Sequence, residues 1–593
     1  MKRKQVKQPE ENRKPLTDKS PIRLIGGQYV IEHWWPLFVL TGLTYLLSLP
    51  MFAPLSFWPV GYIVFAPWLV AVCISRYSVR TYFISFLLGF AFFLTHLRWM
   101  YVTTPEGYVA GSFYLAVGFL LAAWLIRHLY CERDLSVAVT FPVIWTAIEL
   151  LRSYGPLAFP WFLLGHSQIR LLTMIQIADL TGVFGVTFML AVVNGWLVDL
   201  MLRPILIWSG TKATSPRHFP VGTVLMIMVL GATVIYGRSR LGVYKPDEGP
   251  RIAVLQGDFV LKTSYDPQVP TDEDKQQTYL DLFDKALVGS PDMIVLPETP
   301  WTQMSLNREI REVNPRWGIW HHRFVELSAE HKSYIVVGSL SEVPQPEGHY
   351  PELHRYNSAF VYTPNFKEPD RYDKIHLVLF GEYVPFRYSI HWLYRFLNDG
   401  PWNPWGRNGY EYSLTAGQDF KVFPMQARSQ DGQAYNFAIT ICYEDVIPQI
   451  FRKFIVDTDR AKRVDFMLNI SNDGWFGRGV QQPQHLVSCA FRAIENRVGI
   501  ARAVNTGVSG FIDSDGSWHD LVVEPGRGPH AGGTGYRIAR VDIDREVTFY
   551  SVYGDLFAQV CGILAFVALI DAVFVGFRKR RSKQQVSTDG DVK

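Results

Sequence analysis

Residues 438–448 read AITICYEDVIP. An apolar, β-branched run leads into Cys442, then Tyr443, the carboxylates Glu444 and Asp445, and a second apolar step closed by Pro448. A short apolar run of this kind, ended by polar residues, reads as a buried strand with Cys442 at its end.

Similar runs lie on either side of it. RIAVLQG begins at Arg251, DMIVLPE at Asp292, SYIVVGSL at Ser333 and SAFVYTP at Ser358, with DFMLNISND from Asp465 and YRIARVDI from Tyr536 further on. Helix-like stretches such as 271–287 and 484–497 separate several of them. Strands alternating with helices predict a layered α/β domain over 238–554.

Outside that domain the character changes. Apolar stretches fall near 36–54, 57–75, 81–101, 109–130, 134–151, 178–202, 219–237 and 555–577. A membrane span needs about 20 mostly apolar residues, so these predict about eight transmembrane helices, seven before the α/β domain and one after it. Trp34, Trp35, Trp58, Trp99 and Trp196 lie near run ends, as an aromatic belt would place them. With the N-terminus inside, the inner loops carry Arg76 and Arg80, then Arg127 and Arg133, then Arg203, Lys212 and Arg217. The outer loop around 102–108 has no Lys or Arg. The positive-inside rule then places the basic tails, 1–35 and 578–593, in the cytoplasm and 238–554 outside.

Overall composition agrees: 593 residues, 48% hydrophobic and 15% aromatic, yet 19% charged with a net charge of +4. That mix suits a membrane part joined to a sizeable soluble part, and it gives no reason to invoke nucleic acid. The first apolar run follows a polar tail without a small-residue cleavage signal, so no cleavable signal peptide is expected. Of the five cysteines, Cys73, Cys131 and Cys561 belong to apolar runs, and Cys489 lies in a helix-like stretch. No CxxC pattern, metal-ligand spacing or phosphate-binding loop is present, and no cofactor is expected. GRGPHAGGTG near Gly526 reads as a flexible turn, and His485 as a structural hydrogen-bonding residue with no evident partner.

Two further strand ends carry chemistry. IVLPETPW places Glu298 just past an apolar run, and RYDKIHLVLFGEYVP carries Lys374 and Glu382. Any one of these groups alone is an ordinary strand-end residue. Together they supply what acyl transfer through cysteine needs: a nucleophilic thiol, a base to ionise it and a cation for the oxyanion.

The Glu…Lys…Cys order resembles the nitrilase superfamily, whose fold is an αββα sandwich. More specifically, the chain resembles the apolipoprotein N-acyltransferase family over about residues 36–577. FPWFLLGHSQ from Phe159 and ADLTGVFGVTF from Ala178 are similar to motifs of that family's membrane part. YDKIHLVLFGEYVP, CYEDVIP, NISNDGWFG and QHLVSCAFRAIENRVGIARAVNTGVSG are similar to motifs of its catalytic part. The resemblance implies Glu298 as general base, Lys374 as oxyanion stabiliser and Cys442 as nucleophile. It implies Glu382, Tyr443, Glu444 and Trp475 as supporting residues. It also implies a bacterial inner-membrane enzyme with a periplasmic catalytic domain. Its acyl donor would be a phospholipid and its acceptor an apolipoprotein with an N-terminal diacylglyceryl-cysteine. Acyl transfer would be ping-pong, through a cysteine thioester.

Some positions depart from the family pattern. QGDFVLKTSYD has Asp258, Val260 and Tyr265 where the family has Asn, Pro and Trp. Leu379 stands where the family usually has Pro, and Thr299, Pro300 and Trp301 follow Glu298. The segment 386–412 is rich in aromatic residues and in Gly, Pro and Asn, and reads either as a packed insertion or as an amphipathic lid at the membrane surface. A membrane-tethered carbon–nitrogen hydrolase (an amidase or nitrilase) would use the same three groups with water as second nucleophile. A multi-span membrane part is what such a hydrolase does not need.

Overall fold

A computed structural model of the chain describes residues 22–25, 28–31, 34–75, 78–208, 218–260, 270–301, 305–312, 315–346, 353–387, 389–400, 412–524 and 532–590. Lys212, Arg217 and Tyr265, part of the Gly526 turn, and Tyr388, Trp402, Trp405 and Tyr410 of the aromatic segment lie outside these residues.

Each expected apolar run is helical. The membrane lobe comprises α1 (Trp35–Ser48), α2 (Ala66–Ile74), α3 (Ser78–His96), α4 (Pro105–Arg133), α5 (Val137–Leu151), α6 (Val183–Trp208) and α7 (His218–Val243). Among the described residues five helices are long and apolar enough to cross a membrane: Ser78–His96, Pro105–Arg133, Val183–Leu202, Pro220–Val243 and Leu556–Lys579. Shorter apolar helices, Trp35–Ser48, Trp58–Ile74 and Val137–Leu151, occupy the other three expected runs. The run expected at 178–202 is broken. Ala178–Thr181 forms its own turn and α6 starts at Val183. Gly182 between them takes φ +65, and a Cβ there would meet the Tyr550 ring at 2.6 Å, so only glycine suits both the backbone and the space.

The α/β lobe holds two six-stranded sheets. The first contains β1 (Asp247–Gln256), β2 (Met293–Val295), β3 (Tyr334–Pro344), β4 (Leu353–Tyr362), β5 (Asp370–Asp373) and a last strand, Gly535–Ile543. The second contains β6 (Phe423–Ala427), β7 (Gln433–Ile441), β8 (Phe466–Ser471), β9 (Gly499–Val504), β10 (Gly510–Ile512) and β11 (Trp518–His519). With the last strand named β12, the sheet orders are β12-β1-β2-β3-β4-β5 and β11-β10-β9-β8-β7-β6. In each, two parallel pairings are flanked by antiparallel ones.

Strand alternation builds the layers. Ile252, Val254, Met293, Val295 and Val336 share one core with Phe437, Ile439 and Ile441 of the facing sheet. Their neighbours Ala253, Leu255, Ile294, Ile335 and Val337 point the other way, against α8 (Asp272–Val288) and α9 (Pro315–His331). α8 starts on a capping box: Thr271 Oγ1 accepts from Asp274 N at 3.1 Å, and the Asp274 carboxylate accepts from Thr271 N at 3.0 Å. A short amphipathic helix, α10 (His391–Asp399), follows the loop after β5.

On the outer face of the second sheet lies α11 (Gln481–Asn496), every residue of which is buried. It is sandwiched against the membrane lobe, and the hydrophobic core is continuous from Phe491 of α11 to Phe184 of α6. Across this border Glu495 accepts from the backbone N of Val183 at 2.9 Å, a carboxylate on a helix N-terminus. Asp179 accepts from Arg497 at 2.8 Å, pairs with Arg240 at 3.0 Å and accepts from Tyr236 Oη at 2.8 Å. The last helix, α12 (Leu556–Gly590), returns along the membrane lobe with Ile563, Leu564, Phe566, Val567 and Ile570 exposed, a surface suited to lipid tails.

Candidate active site

The three strand-end groups converge. Glu298 follows β2, Lys374 follows β5 and Cys442 follows β7, so both sheets contribute. Cys442 takes φ +51 where β7 turns into the single helical turn Cys442–Asp445. That left-handed conformation is costly for a side-chain-bearing residue and persists only where its surroundings hold it. Glu444 does the holding: it accepts from Ile441 N at 2.8 Å, from Ile375 N at 2.7 Å, from His376 N at 3.1 Å and from Tyr372 Oη at 2.8 Å. It therefore pins the Cys442 turn to the loop after Lys374. Glu444 is fully buried, so it is no surface charge. Burial raises its pKa to about 7 even against these donors.

Lys374 is 1% exposed and Glu298 4%. Lys374 Nζ donates to Glu382 Oε1 at 2.8 Å and stands 3.7 Å from Glu298 Oε1. Asn357, in β4, spans both carboxylates: its Nδ2 donates to Glu298 Oε1 at 2.6 Å and to Glu382 Oε1 at 2.9 Å. Val378 N donates to Glu382 Oε2 at 2.7 Å. Glu298 Oε2 is buried and makes no hydrogen bond of normal geometry, and the Cys442 thiol is a donor close enough to act on this carboxyl. Asn357 was not singled out from the sequence. A single Asn inside a strand run carries no local signal, and its role comes from the β4 register that sets it beside two distant glutamates.

The electrostatics divide the roles. Burial pushes the Cys442 thiol well up and the Glu298 charge adds to this, while Lys374 opposes them. The resting nucleophile is thus a thiol that needs a base at the moment of attack. Burial also raises Glu298, with Lys374 pulling against it, which makes the carboxylate a stronger base than a solvated one. Burial alone would lower Lys374, but Glu382 and Glu298 outweigh it and hold the ammonium charged. A permanent cation beside a neutral thiol and a poised carboxylate is an arrangement for stabilising a developing oxyanion.

The supporting aromatics face the membrane lobe. Tyr443 stacks on Trp161 at 6.3 Å and 4°, with Phe159 at 6.4 Å and His376 at 6.1 Å. Its hydroxyl donates to Ala158 O at 3.3 Å. The FPWFLLGHSQ motif is thereby packed against the residue next to the nucleophile. Trp475 lies on the turn Asp473–Phe476, is 39% exposed, and accepts at its carbonyl from Thr103 Oγ1 at 2.8 Å. Of the family departures, Asp258 forms an ion pair with Arg478 at 2.8 Å, which ties the loop after β1 to the Trp475 segment.

His485 is a buried hydrogen-bonding residue, as expected, with partners the sequence did not reveal: Asp473 on one ring nitrogen and Asp445 on the other. Those residues are 12 and 40 positions away, so only the fold reveals the pairing. Among the described residues no cluster of His, Cys, Asp and Glu could hold a metal ion.

Residues 42–196 match the family described as apolipoprotein N-acyltransferase N-terminal domain, and residues 251–544 match carbon-nitrogen hydrolase. An apolipoprotein N-acyltransferase of Geobacter metallireducens is 32% identical over 567 residues, covering 92% of this chain and 96% of the relative. Another, of Chlorobaculum tepidum, is 26% identical and covers 90% and 96%. Among solved structures, an amidase of the nitrilase superfamily from Nesterenkonia AN1 is 14% identical with a TM-score of 0.33, covering 53% of this chain and 96% of its own.

Proposed function

Since the chain belongs to the apolipoprotein N-acyltransferase family, we propose that it moves a fatty acyl group from a phospholipid to the N-terminal amine of a diacylglyceryl-cysteine lipoprotein, through a thioester on Cys442. The observation that carries this reading is the convergence of buried Glu298 and Lys374 with half-buried Cys442, packed, through Tyr443 and Trp161, on a membrane lobe.

In the first half-reaction Glu298 accepts the Cys442 proton as sulfur attacks the donor's ester carbonyl. Lys374 faces the oxyanion of the tetrahedral intermediate. The ester C–O bond then breaks, the departing lysophospholipid oxygen takes the proton from Glu298, and the thioester remains. In the second half-reaction the acceptor's α-amine attacks the thioester and loses a proton to Glu298. The C–S bond breaks, the amide is released, and the proton returns to Cys442. Glu382 and Asn357 keep the lysine and base in register, and Glu444 keeps the Cys442 turn. A thioester persists long enough for this only where water is excluded, which the burial of Glu298 and Lys374 favours.

The direct test is intact-mass analysis of the purified protein given phospholipid. An adduct of one acyl chain on Cys442, discharged by an acceptor lipopeptide, is the expected result. An adduct discharged equally well by water alone would favour a membrane-tethered amidase or nitrilase instead.

For the domain order we propose cytoplasmic tails at 1–35 and 578–593, a membrane domain over 36–237, a periplasmic catalytic domain over 238–554 and a final span at 555–577, in a bacterial inner membrane. Reporter fusions near residues 300 and 590 should then read outside and inside. A cytoplasmic signal near 300 would remove the lipoprotein acceptor from reach.

The aromatic segment after Glu382 is read as a membrane-touching lid. In its described part, α10 carries Trp392 and Phe396 exposed at 73% and 57%, beside exposed Phe386 and Ile390. Amphipathic aromatics of this kind suit a headgroup interface. Replacing Trp392 and Phe396 with Ser should lower the use of bilayer phospholipid while leaving Cys442 alkylation by a small soluble reagent unchanged. Parallel loss of both would show a packing role.

A further inference from the structure

Behind Cys442 lies a second buried ionic cluster that the acyl-transfer steps do not use. His485 Nδ1 is 2.8 Å from Asp473 Oδ1, and its Nε2 is 2.8 Å from Asp445 Oδ1. Arg502 closes the ring: its Nη1 donates to Asp445 Oδ2 at 2.7 Å, and its Nη2 stands 3.5 Å from Asp473 Oδ2. All four side chains are essentially inaccessible. A neutral imidazole has one N–H and cannot donate to two carboxylates. With both aspartates ionised against Arg502, the geometry requires N–H on both ring nitrogens, an imidazolium that brings the ring of four to zero net charge.

The two aspartates belong to different functional turns. Asp445 ends the turn that Cys442 begins, and Asp473 begins the turn that carries Trp475. Ser471 Oγ donates to Asp473 Oδ1 at 3.1 Å and also lowers the Cys442 pKa by hydrogen bonding, so the cluster and the nucleophile share a neighbour. The His485 ring is tilted against Trp161 at 5.5 Å, and the adjacent Gln484 Oε1 accepts from Trp161 Nε1 at 3.2 Å. Trp161 is the ring on which Tyr443 stacks. One imidazole thus touches the Cys442 turn, the Trp475 turn and the membrane lobe.

We propose that His485 is a positioning residue for the acyl-transfer site: as an imidazolium it fixes the Cys442 turn against the Trp475 turn, and its deprotonation releases them. The proposal rests on Cys442 as nucleophile. The groups facing the ring are Asp445 from the Cys442 turn, Asp473 from the Trp475 turn and Arg502 from β9; Cys489, one helical turn along α11, lies against Asp445 and Arg502. Burial alone would lower His485, but Asp445 and Asp473 outweigh it and raise its pKa from 6.5 to about 9. A raised pKa means that the ordering is complete below pH 6.5 and is lost as pH rises through about 9.

Two measurements on the full-length protein in detergent, with a short-chain phospholipid as donor, test this. In the unaltered protein the rate of Cys442 acylation should fall above about pH 9, by about tenfold per pH unit. Alkylation of Cys442 by iodoacetamide should keep rising over the same range. At neutral pH, His485→Asn should acylate about 10²-fold more slowly, in kcat rather than KM. The double variant His485→Asn/Asp473→Asn, which removes one cation and one anion together, should recover at least about tenfold of that loss, which a space-filling role would not produce. An unaltered protein with no falling limb between pH 8.5 and 10 would overturn the proposal, even if the variants failed to fold. So would a His485→Asn protein with the parental rate. Loss of any adduct at Cys442 in the unaltered protein would instead remove the thioester reading itself.

Discussion

Cys442→Ala is expected to lower acyl transfer by at least about 10⁴-fold, the scale seen when a covalent nucleophile is removed, and to leave no acyl adduct by mass. Cys131→Ala and Cys561→Ala should keep the parental rate, since those residues lie in the membrane helices α4 and α12. The contrast rests on environment. Cys489 is fully buried and Cys442 half-buried; burial pushes both thiols well up, but only Cys442 has Glu298 and Lys374 among the groups acting on it. Nothing is lost in packing that the small Ala side chain cannot hold, so the variant should remain folded and inserted. Acyl transfer at near-parental rate by Cys442→Ala would end the thioester mechanism.

The second large effect belongs to Lys374. Lys374→Met should slow acylation by roughly 10²–10³, the usual cost of removing one oxyanion donor. It should also destabilise the protein, by about 3–5 kcal/mol, because Glu298 and Glu382 would be left facing one another with no cation between them. Lys374 is the strongest of the groups that pull Glu298 down against burial, so its loss raises that carboxyl further. A carboxyl with a raised folded-state pKa costs stability at high pH and ceases to do so once protonated, so the melting deficit should shrink as pH falls. Lys374→Met/Glu382→Gln should regain part of the stability but none of the rate. A single variant with parental acylation kinetics would show that another group holds the oxyanion.

What the sequence made legible follows from what is local. Glu298 and Cys442 could be found because each ends an apolar strand run, and Lys374 because base, cation and thiol form a chemically complete set. The seven apolar runs of the catalytic part all proved to be strands, and the helices expected at 271–287 and 484–497 appear as Asp272–Val288 and Gln481–Asn496. Asp370–Asp373, Phe423–Ala427, Gly510–Ile512 and Trp518–His519 were missed, since strands of two to five residues are too short for a period to show, and Gly499–Val504 was missed with Arg502 interrupting its apolar run. Asn357, the burial of Glu444 and the partners of His485 were missed for a different reason. Each depends on residues brought together across sheets or from another lobe, and an Asn, a Glu or a His carries no local mark of such a neighbour. The break at Gly182 is similar: it answers to Tyr550, which lies far along the chain.

The border between the two lobes has a practical consequence for anyone wishing to handle this catalyst in water. A fragment trimmed to residues 238–554 would carry α11 to its surface with one whole flank bare. Arg497 would lose Asp179, and Tyr443 would lose the Trp161 ring beside the nucleophile. Such a fragment should aggregate rather than behave as a soluble amidase-like enzyme. The intact chain, whose lobes share one core and buried charge pairs, should melt in a single calorimetric transition instead of two. Excision and separate melting are thus denied by the same contacts, and solubility would have to be engineered into the membrane helices themselves.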